Sequence, residues 1–429
     1  MLDSIAIAGA WGYIGRKVLD AALGRGLRTY VFDPGPAPTD FDPQSVTRVE
    51  SEAEFYNLKA DLFHLALHAE ARRRGLALLL RRAESEPVFV LNEKPMVSPE
   101  TPGKGLPLIA EVDRTRAVML YDFPELFDPL TQRITAYLKG FSRVELSSIV
   151  VERSKDREDP AISRNRKRML PIQFQESVHC LAHVIYVLAT LRGSFAAVMH
   201  EGASVSAKSE PYCPPNPEVY PHVEDGRCEF QLSLGKLHVE GLTNFKRGAP
   251  WRKRRVLRGQ GDDRPFVIEA DYLEGKKSLR INGVDQGWDA SASSYEAILT
   301  TLAHWRDSVP AAILLHGVYP QPASGLARLS VEWRPVAKQP RGQADHATRP
   351  EGIGRIRQWL CCSAATASAL FPDRLQYGSG RPWTLKSPNS ACAANWPTAT
   401  VSPRRRPGWC LPRTESARWG HTLTINWER

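Results

Sequence analysis

A lysine stands directly after an apolar run that is typical of a buried strand. The run is VFVLN, and Glu93, Lys94 and Pro95 follow it. If the run belongs to a parallel sheet, Lys94 lies at the carboxyl edge, where ligands bind in open α/β folds. An ammonium group there can stabilise negative charge that develops on a reacting oxygen. The alternative is a surface turn that ends the strand and leaves Lys94 in solvent.

A second group of polar residues lies in the segment QFQESVHCLAHVIYVLATLRG, whose apolar residues recur at helical spacing. Gln175, His179 and His183 are four residues apart and share one helix face, and Glu176 is three residues before His179. The residues alone leave two interpretations open, a packed polar face and a metal site of Glu176, His179 and His183. Because no further strong ligand set is visible, no metal is predicted.

The N-terminal residues predict a dinucleotide-binding turn. The apolar run SIAIAG leads into three glycines spaced by three, and a helical pattern follows. Glycines let the backbone approach a pyrophosphate, and the free N–H groups at the helix N-terminus can bind it. The cofactor contacts predicted in this turn are Gly9, Trp11, Gly12, Tyr13, Ile14 and Gly15.

The next predicted strand ends in Asp33, where a carboxylate can accept hydrogen bonds from the ribose hydroxyls of a dinucleotide. The same charge repels a 2′-phosphate, and Pro34-Gly35-Pro36 supplies no arginine to bind one. NAD is therefore the predicted cofactor, and NADP is less favoured.

The first 122 residues alternate between strand and helix patterns, which predicts a doubly wound parallel sheet. The runs ADLFHLAL, PVFVLN and AVMLYDF are the later strands, with helical segments between them. Because the carboxyl ends of parallel strands meet at one edge, Gly9, Asp33, His68 and Lys94 should gather there. This placement favours Lys94 as a cation beside the cofactor.

From about Ser142 to Trp288 the pattern changes to strand-like runs with Gly and Asp between them. The runs are RVELSSIVVER, CEFQLSLGKLHVEGLTNF, RRVLRG, RPFVIEADYLEG and KSLRING, and the amphipathic helix SYEAILTTLAHWRDSV follows. The basic segment ERSKDREDPAISRNRKRML precedes the histidine-bearing helix. It is either a solvated loop or a site that captures a carboxylate or phosphate on a substrate.

Composition narrows the class of protein. The chain has 429 residues and a formal net charge of +10, yet nearly all of the basic excess lies after residue 334. The nearly neutral remainder predicts no nucleic-acid face. No apolar stretch approaches the roughly 18 residues that span a bilayer, and the N-terminus begins with a strand rather than a signal peptide. A cytoplasmic protein without membrane contact is predicted, with its seven cysteines reduced.

Residues 335–429 differ from the rest of the chain. They hold more than half of the tryptophans and cysteines, among scattered prolines and without helical or strand periodicity. We interpret them as an irregular basic tail, disordered or not native to the fold, such as an out-of-frame translation. The other interpretation is a basic appendage that binds RNA or an acidic partner.

Several motifs together resemble the glucose–fructose oxidoreductase, inositol dehydrogenase and MocA (Gfo/Idh/MocA) family. They are Glu93-Lys94-Pro95 after a buried strand, HAEARRRG after the preceding strand, LFDPLTQRITAYLKG and QESVHCLAHVIYVL. The resemblance covers roughly residues 3 to 330. It implies an α/β fold in which a Rossmann-type doubly wound parallel sheet (1–122) precedes an α+β domain with an open, mostly antiparallel sheet (123–334).

The resemblance also implies a function. It makes the chain an NAD(P)-dependent oxidoreductase that transfers a hydride between nicotinamide and the hydroxyl or keto carbon of a sugar, cyclitol or related polyol. His179 would transfer the proton and Lys94 would bind the same oxygen. Gln175 stands where the family has an aspartate, and Glu176 replaces that aspartate only if the helix begins in a rotated register.

Most of the remaining expectations also follow from the resemblance. Glu93 would contact the cofactor, His183 would contact the substrate, and the chain would form a homo-oligomer through the outer face of its second sheet. Independently of the resemblance, Tyr121 and Asp122 are candidate substrate contacts because they end another predicted strand. Some members of the family bind a dinucleotide without catalysis. A non-catalytic sensor or regulator is therefore the alternative function.

Overall fold

The computed structural model describes residues 2–193, 197–198, 203–287 and 293–308, which form two sheets with their helices. The predicted tail at 335–429 lies outside the described residues. No helix in the described ranges is long and apolar enough to cross a membrane.

The first sheet contains six parallel strands in the order β3-β2-β1-β4-β5-β6. The strands are β1 (Ser4–Ala8), β2 (Arg28–Phe32), β3 (Thr47–Arg48), β4 (Leu62–Leu65), β5 (Val88–Asn92) and β6 (Ala117–Tyr121). The helices between them are α1 (Tyr13–Gly24), α2 (Glu52–Asn57), α3 (Ala69–Ala83) and α4 (Gly105–Arg114). The strand order reverses between β1 and β4, and a ligand crevice forms at such a point.

Continuous burial explains why these strands are apolar throughout. Strands β1, β4, β5 and β6 are buried along their whole length. Such burial is expected of a parallel sheet with helices on both faces. The polar side chains that follow the strands therefore mark the carboxyl edge.

The second sheet has eight strands in the order β14-β13-β12-β11-β7-β10-β9-β8, and all of its described pairs are antiparallel except β7 with β10. The strands are β7 (Val144–Ser154), β8 (Ala203–Pro211), β9 (Asp225–Leu234), β10 (Leu237–Asn244), β11 (Arg252–Gly261), β12 (Arg264–Asp271), β13 (Ser278–Ile281) and β14 (Val284–Asp285). The predicted fold class, a Rossmann-type sheet followed by a mostly antiparallel sheet, is confirmed.

Helices also accompany the second sheet. Within the described residues they include α5 (Pro124–Phe127), α6 (Pro129–Lys139), α7 (Val178–Arg192) and α8 (Ser294–Ser308). In β9 and β10 burial alternates from residue to residue, so one sheet face is covered and the other meets solvent. Helix α8 returns to pack against α1 and α5, and Arg25 of α1 donates a hydrogen bond to Thr300.

Candidate active site

In the turn between β1 and α1, the glycines lie in close contact with neighbouring backbone atoms. Gly9 has a φ of 78°, and a Cβ atom there would lie 2.5 Å from the carbonyl oxygen of Ala66. A Cβ atom on Gly15 would lie 2.1 Å from the carbonyl oxygen of Gly9. Gly12 caps α1 without any side-chain hydrogen bond, so the first N–H groups of α1 have no side-chain acceptor from the cap and can meet a pyrophosphate.

Asp33 lies beside this turn. Its carboxylate accepts hydrogen bonds from the N–H groups of Trp11, at 3.0 Å, and Gly35, at 2.9 Å. Each carboxylate oxygen can accept a further hydrogen bond, which suits a ribose hydroxyl. The indole Nε1 of Trp11 is buried without a partner in the described chain, and its ring packs on Phe41 with centroids 5.0 Å apart.

The turn also holds Tyr13 and Ile14, the first two residues of α1. Tyr13 is among the most exposed aromatic side chains, with 47% of its surface accessible, and the guanidinium of Arg164 stacks on its ring at 3.7 Å. Ile14 is half-buried. His68 precedes α3 as its N-cap residue, at the carboxyl end of β4, so the residues predicted for the sheet edge lie at that edge.

Lys94 connects the carboxyl edge of the first sheet with the segment that precedes α7. It follows β5, and its Nζ donates a hydrogen bond of 2.8 Å to the backbone carbonyl of Gln175. The Lys94–Pro95 peptide bond is cis. Burial lowers the pKa of Lys94, and the charges of Glu176 and Glu93 oppose this effect. The sheet edge and the segment that leads into α7 are thus brought together.

That segment, Gln173–Ser177, is a π-helical turn. Such a turn holds one residue more than an α-helical turn, and it often occurs at functional sites. The side-chain oxygen of Gln175 accepts a hydrogen bond from the N–H of Leu170 at 3.1 Å. Its amide nitrogen faces the sulfur of Met169 at 3.8 Å. The side chain of Gln175 therefore bonds to the preceding loop.

His179 occupies the first turn of α7 and is 8% exposed. The edge of its ring meets Phe123, with centroids 5.3 Å apart, and its Nδ1 has no hydrogen-bond partner in the described chain. Burial holds the pKa of His179 well below its usual range, and the positive charges of Arg153 and Lys94 act in the same direction. The imidazole is therefore neutral at pH 7 and can accept a proton.

Glu176 is a buried anion held between two cations. The Nε of Arg153 lies 2.7 Å from one of its oxygens, and Lys155 binds the other. Burial favours the neutral acid, but Lys155, Arg153 and Lys94 together hold the pKa of Glu176 well below its usual range. The carboxylate acts on His179 through its charge.

Arg153 and Lys155 belong to a larger group that we call the basic cluster. It comprises Arg153, Lys155, Lys253 and Arg255, with the carboxylates Glu125 and Glu176. Glu125 binds Arg153 and, at 2.6 Å, Arg255. Arg255 is fully buried. The predicted basic segment is therefore not simply a solvated loop, because its first residues are interior ion-pair partners.

A second buried group, which we call the acidic cluster, comprises His64, Glu93 and Asp122. The Nε2 of His64 lies 3.5 Å from Glu93 and 3.9 Å from Asp122, and the ligand atoms of all three lie within 4.8 Å of one another. The three can hold a cation or share protons. Positive charge is already near this cluster. The charge of Lys94 acts to lower the pKa of Glu93, and the charge of Glu93 acts to raise the pKa of Arg72.

The two carboxyl groups of the acidic cluster have opposite pKa shifts. Burial and the charge of Glu93 raise the pKa of Asp122 well above its usual range. Burial also acts to raise the pKa of Glu93, but its close interactions with His64 and Asp122, together with the charge of Lys94, leave it lowered. Glu93, predicted to contact the cofactor, therefore faces His64 and Asp122 in the interior.

Two predicted substrate contacts lie in the interior. His183 is fully buried, and its Nε2 lies 3.0 Å from the hydroxyl of Tyr272. Tyr121 is 3% exposed within β6. Both side chains are buried, and their contact with a substrate stays a prediction.

Sequence reasoning missed Glu125, Lys253 and Arg255. The signal for the last two is the period of two in RKRRV, which places Lys253 and Arg255 on one face of β11. Lys253 pairs in register with Arg153 on β7. Only the strand pairing shows that these residues meet.

No protein-family model matches the sequence, and no curated protein is matched by it. Solved structures do match. The dehydrogenase MviM from Clostridium difficile superposes with a TM-score of 0.52 at 13% identity, over 77% of this chain and 99% of that one. The UDP-N-acetylglucosamine 3-dehydrogenase GnnA from Acidithiobacillus ferrooxidans superposes with a TM-score of 0.51 at 13% identity, over 77% and 97%.

These similarities concern the fold. The chain shares the fold of these two dehydrogenases, and the predicted resemblance is confirmed at the level of the fold.

Proposed function

We propose that the protein is an NAD-dependent oxidoreductase that transfers a hydride between nicotinamide and a carbon bearing a hydroxyl or keto oxygen. The observation that carries this proposal is the hydrogen bond from Lys94, at the nucleotide-binding sheet edge, to the turn that precedes His179. An ammonium and a neutral imidazole are thereby held at the same end of the first sheet. This pairing suits acid–base chemistry on one oxygen atom.

The glycine turn fits a dinucleotide. Side chains are excluded at Gly9 and Gly15 by nearby backbone carbonyls, α1 begins at an uncapped glycine, and Asp33 has acceptor capacity for ribose hydroxyls. Bound NAD would supply the hydride acceptor. Because the carboxylate of Asp33 would repel a 2′-phosphate, we propose NAD rather than NADP, and comparing the two cofactors in one assay tests this choice.

The roles of the two side chains follow from their surroundings. His179 is neutral because burial and nearby cations lower its pKa, so its ring can accept the proton of a substrate hydroxyl. Lys94 can donate a hydrogen bond to the same oxygen and stabilise the charge that develops there. The oxygen would replace the Gln175 carbonyl as one of its acceptors.

For the substrate we propose a sugar, cyclitol or related polyol derivative. One protein with this fold is named as a dehydrogenase of UDP-N-acetylglucosamine, a sugar derivative, which supports this class.

The test compares Lys94→Ala with Lys236→Ala, an exposed lysine in the turn between β9 and β10. Loss of the ammonium should lower kcat by about 10²- to 10³-fold, while NAD binding measured by calorimetry persists. His179→Ala should lower kcat by about 10²-fold or more. Turnover in Lys94→Ala equal to that in Lys236→Ala would refute the proposed role.

The alternative function is a dinucleotide-binding sensor without catalysis. One observation favours it: the side chain of Gln175 bonds to Leu170, and the Nδ1 of His179 has no partner among the described residues to fix the orientation of the ring. NAD binding without reduction by any member of a panel of sugars and cyclitols would support the sensor.

A further inference from the structure

The inner face of the second sheet carries more positive than negative charge beside His179. The basic cluster contributes Arg153, Lys155, Lys253 and Arg255, and Lys94 adds a fifth cation. The only carboxylates paired with these groups in the described chain are Glu125 and Glu176. Uncompensated positive charge remains in a partly buried region, where it is costly unless an anion binds.

Lys253 is the cation of the basic cluster whose charge is least compensated. It is half-buried on β11 opposite Arg153. Glu274, a carboxylate outside the cluster whose charge acts on Lys253, already binds Lys17 at 2.8 Å. Within the described ranges, the Lys253 ammonium has neither a hydrogen bond nor an ion pair, although every other cation of the cluster has one. The positive charge of Lys253 also helps to lower the pKa of His179.

We propose that Lys253, together with Lys155, binds an anionic group of the substrate, a carboxylate or a phosphate, while the reacting hydroxyl lies between His179 and Lys94. This inference rests on the proposed function and narrows its substrate class from neutral polyols to acidic or phosphorylated ones. Lys155 is suited to the role because 26% of its side chain is exposed although it binds Glu176. A lysine ammonium has three donors and can bind a second acceptor.

Without a bound anion, the surroundings of Lys253 and Lys155 disfavour their charged forms. Burial lowers the pKa of Lys253 to about 8, and Arg153 adds to this effect. Burial likewise lowers the pKa of Lys155 to about 7, against the opposing charge of Glu176. A bound anion would stabilise both ammonium groups, and charge-assisted hydrogen bonds of this kind are about twice as strong as neutral ones.

The experiment uses matched substrates with the full chain and saturating NAD, so that the glycine turn is occupied. The pairs are glucose with glucuronate or glucose 6-phosphate, and myo-inositol with inositol 1-phosphate. We expect at least one anionic member to have a kcat/KM about tenfold or more above that of its neutral partner, a difference of about 1.4 kcal/mol. Lys253→Met should bring this ratio to within about twofold of unity, mainly through KM.

Two further variants make the result specific. Lys253→Arg keeps the charge and should retain most of the preference, whereas Lys236→Met removes an exposed lysine and should leave the preference unchanged. Thermal melting of each variant shows that it folds. Neutral sugars used as well as their anionic partners, or a preference that survives in Lys253→Met, would overturn the anion site while leaving the dehydrogenase intact.

A binding measurement separates this inference from the proposed function. If no sugar is oxidised, calorimetry with inorganic phosphate in the presence of NAD still tests the site. Phosphate binding by the unmodified protein and its loss in Lys253→Met would support the anion site and count against the dehydrogenase. Absence of phosphate binding together with absence of turnover would overturn both.

Discussion

The acidic and basic clusters both lie near Lys94, but their buried carboxyl groups are accommodated in different ways. In the acidic cluster, the pKa of Asp122 is raised, which favours its neutral form, and the pKa of Glu93 beside His64 is lowered, which favours its ionised form. In the basic cluster, neighbouring cations hold the pKa of Glu176 well below its usual range, and both carboxylates form ion pairs with arginine or lysine side chains. The acidic cluster favours a protonated carboxyl group, whereas in the basic cluster ion pairs compensate the charge of the carboxylates.

The difference has a functional meaning. Burial penalises ions in either region, but only the basic cluster retains cations in excess of carboxylates. The acidic cluster includes Glu93, next to Lys94 at the carboxyl edge of the first sheet, where the proposed NAD would bring positive charge. The basic cluster belongs to the second sheet and its neighbours, and its excess of cations suits the proposed anionic substrate. The two clusters thus favour ligands of opposite charge.

The largest expected effect comes from breaking the basic cluster at Arg255. Arg255→Met should lower the free energy of unfolding by about 3–5 kcal/mol, because Glu125 would remain buried with only one of its two partners. Denaturant titration measures the loss. Arg258→Met, an exposed change on the same strand, is the control. Equal losses in the two variants would show that the ion pairs in the cluster are not required.

Substitutions of the two carboxyl groups of the acidic cluster should have smaller effects on stability, and the two effects should differ. Burial and Glu93 raise the pKa of Asp122 above 3.8, so its ionisation costs stability as pH rises through the folded-state pKa. Asp122→Asn should therefore stay within about 1 kcal/mol of the unmodified protein at pH 7, because the amide resembles the protonated acid.

Glu93 should behave in the opposite way. Its folded-state pKa lies below 4.5, so its contribution is present above that pH and is lost on acidification. Glu93→Gln should cost about 1–3 kcal/mol at pH 7, and the deficit should shrink at about pH 4. Unfolding titrations at the two pH values measure both variants. Equal costs for Glu93→Gln and Asp122→Asn at pH 7 would contradict proton sharing.

Substrate binding should also depend on pH. Lys155 and Lys253, with pKa values of about 7 and about 8, lose protons as pH rises, so the KM for glucuronate should increase about tenfold between about pH 7 and pH 9. The carboxylate keeps its charge over this range, unlike a phosphate. The charged groups that face the two lysines are Arg153, Arg157, Arg255, Glu176 and Glu274.

The neutral partner glucose is the control for this titration, because its KM should not follow the two lysines. A KM for glucuronate that is the same at both pH values would contradict an anion site built from Lys155 and Lys253.

Local patterns were enough to predict much of the fold and one side of the candidate site. The glycine turn, the alternation of strands and helices, and the positions of Asp33 and Lys94 at strand ends all follow from residues close together in the chain. Their positions depend on backbone sterics and on burial, which act over a few residues. The predicted gathering of these residues at one edge needed only the parallel direction of the strands.

The partners of the charged groups could not be predicted in the same way. Whether Glu176 meets His179 or Arg153 depends on the π-helical turn before α7 and on the distance between α7 and the second sheet. Lys253 meets Arg153 only because β11 pairs with β7 about a hundred residues away in the chain. The sequence by itself determined which elements form and which residues end them. The tertiary structure decided which charges are paired, because burial and pairing energies depend on contacts between distant segments.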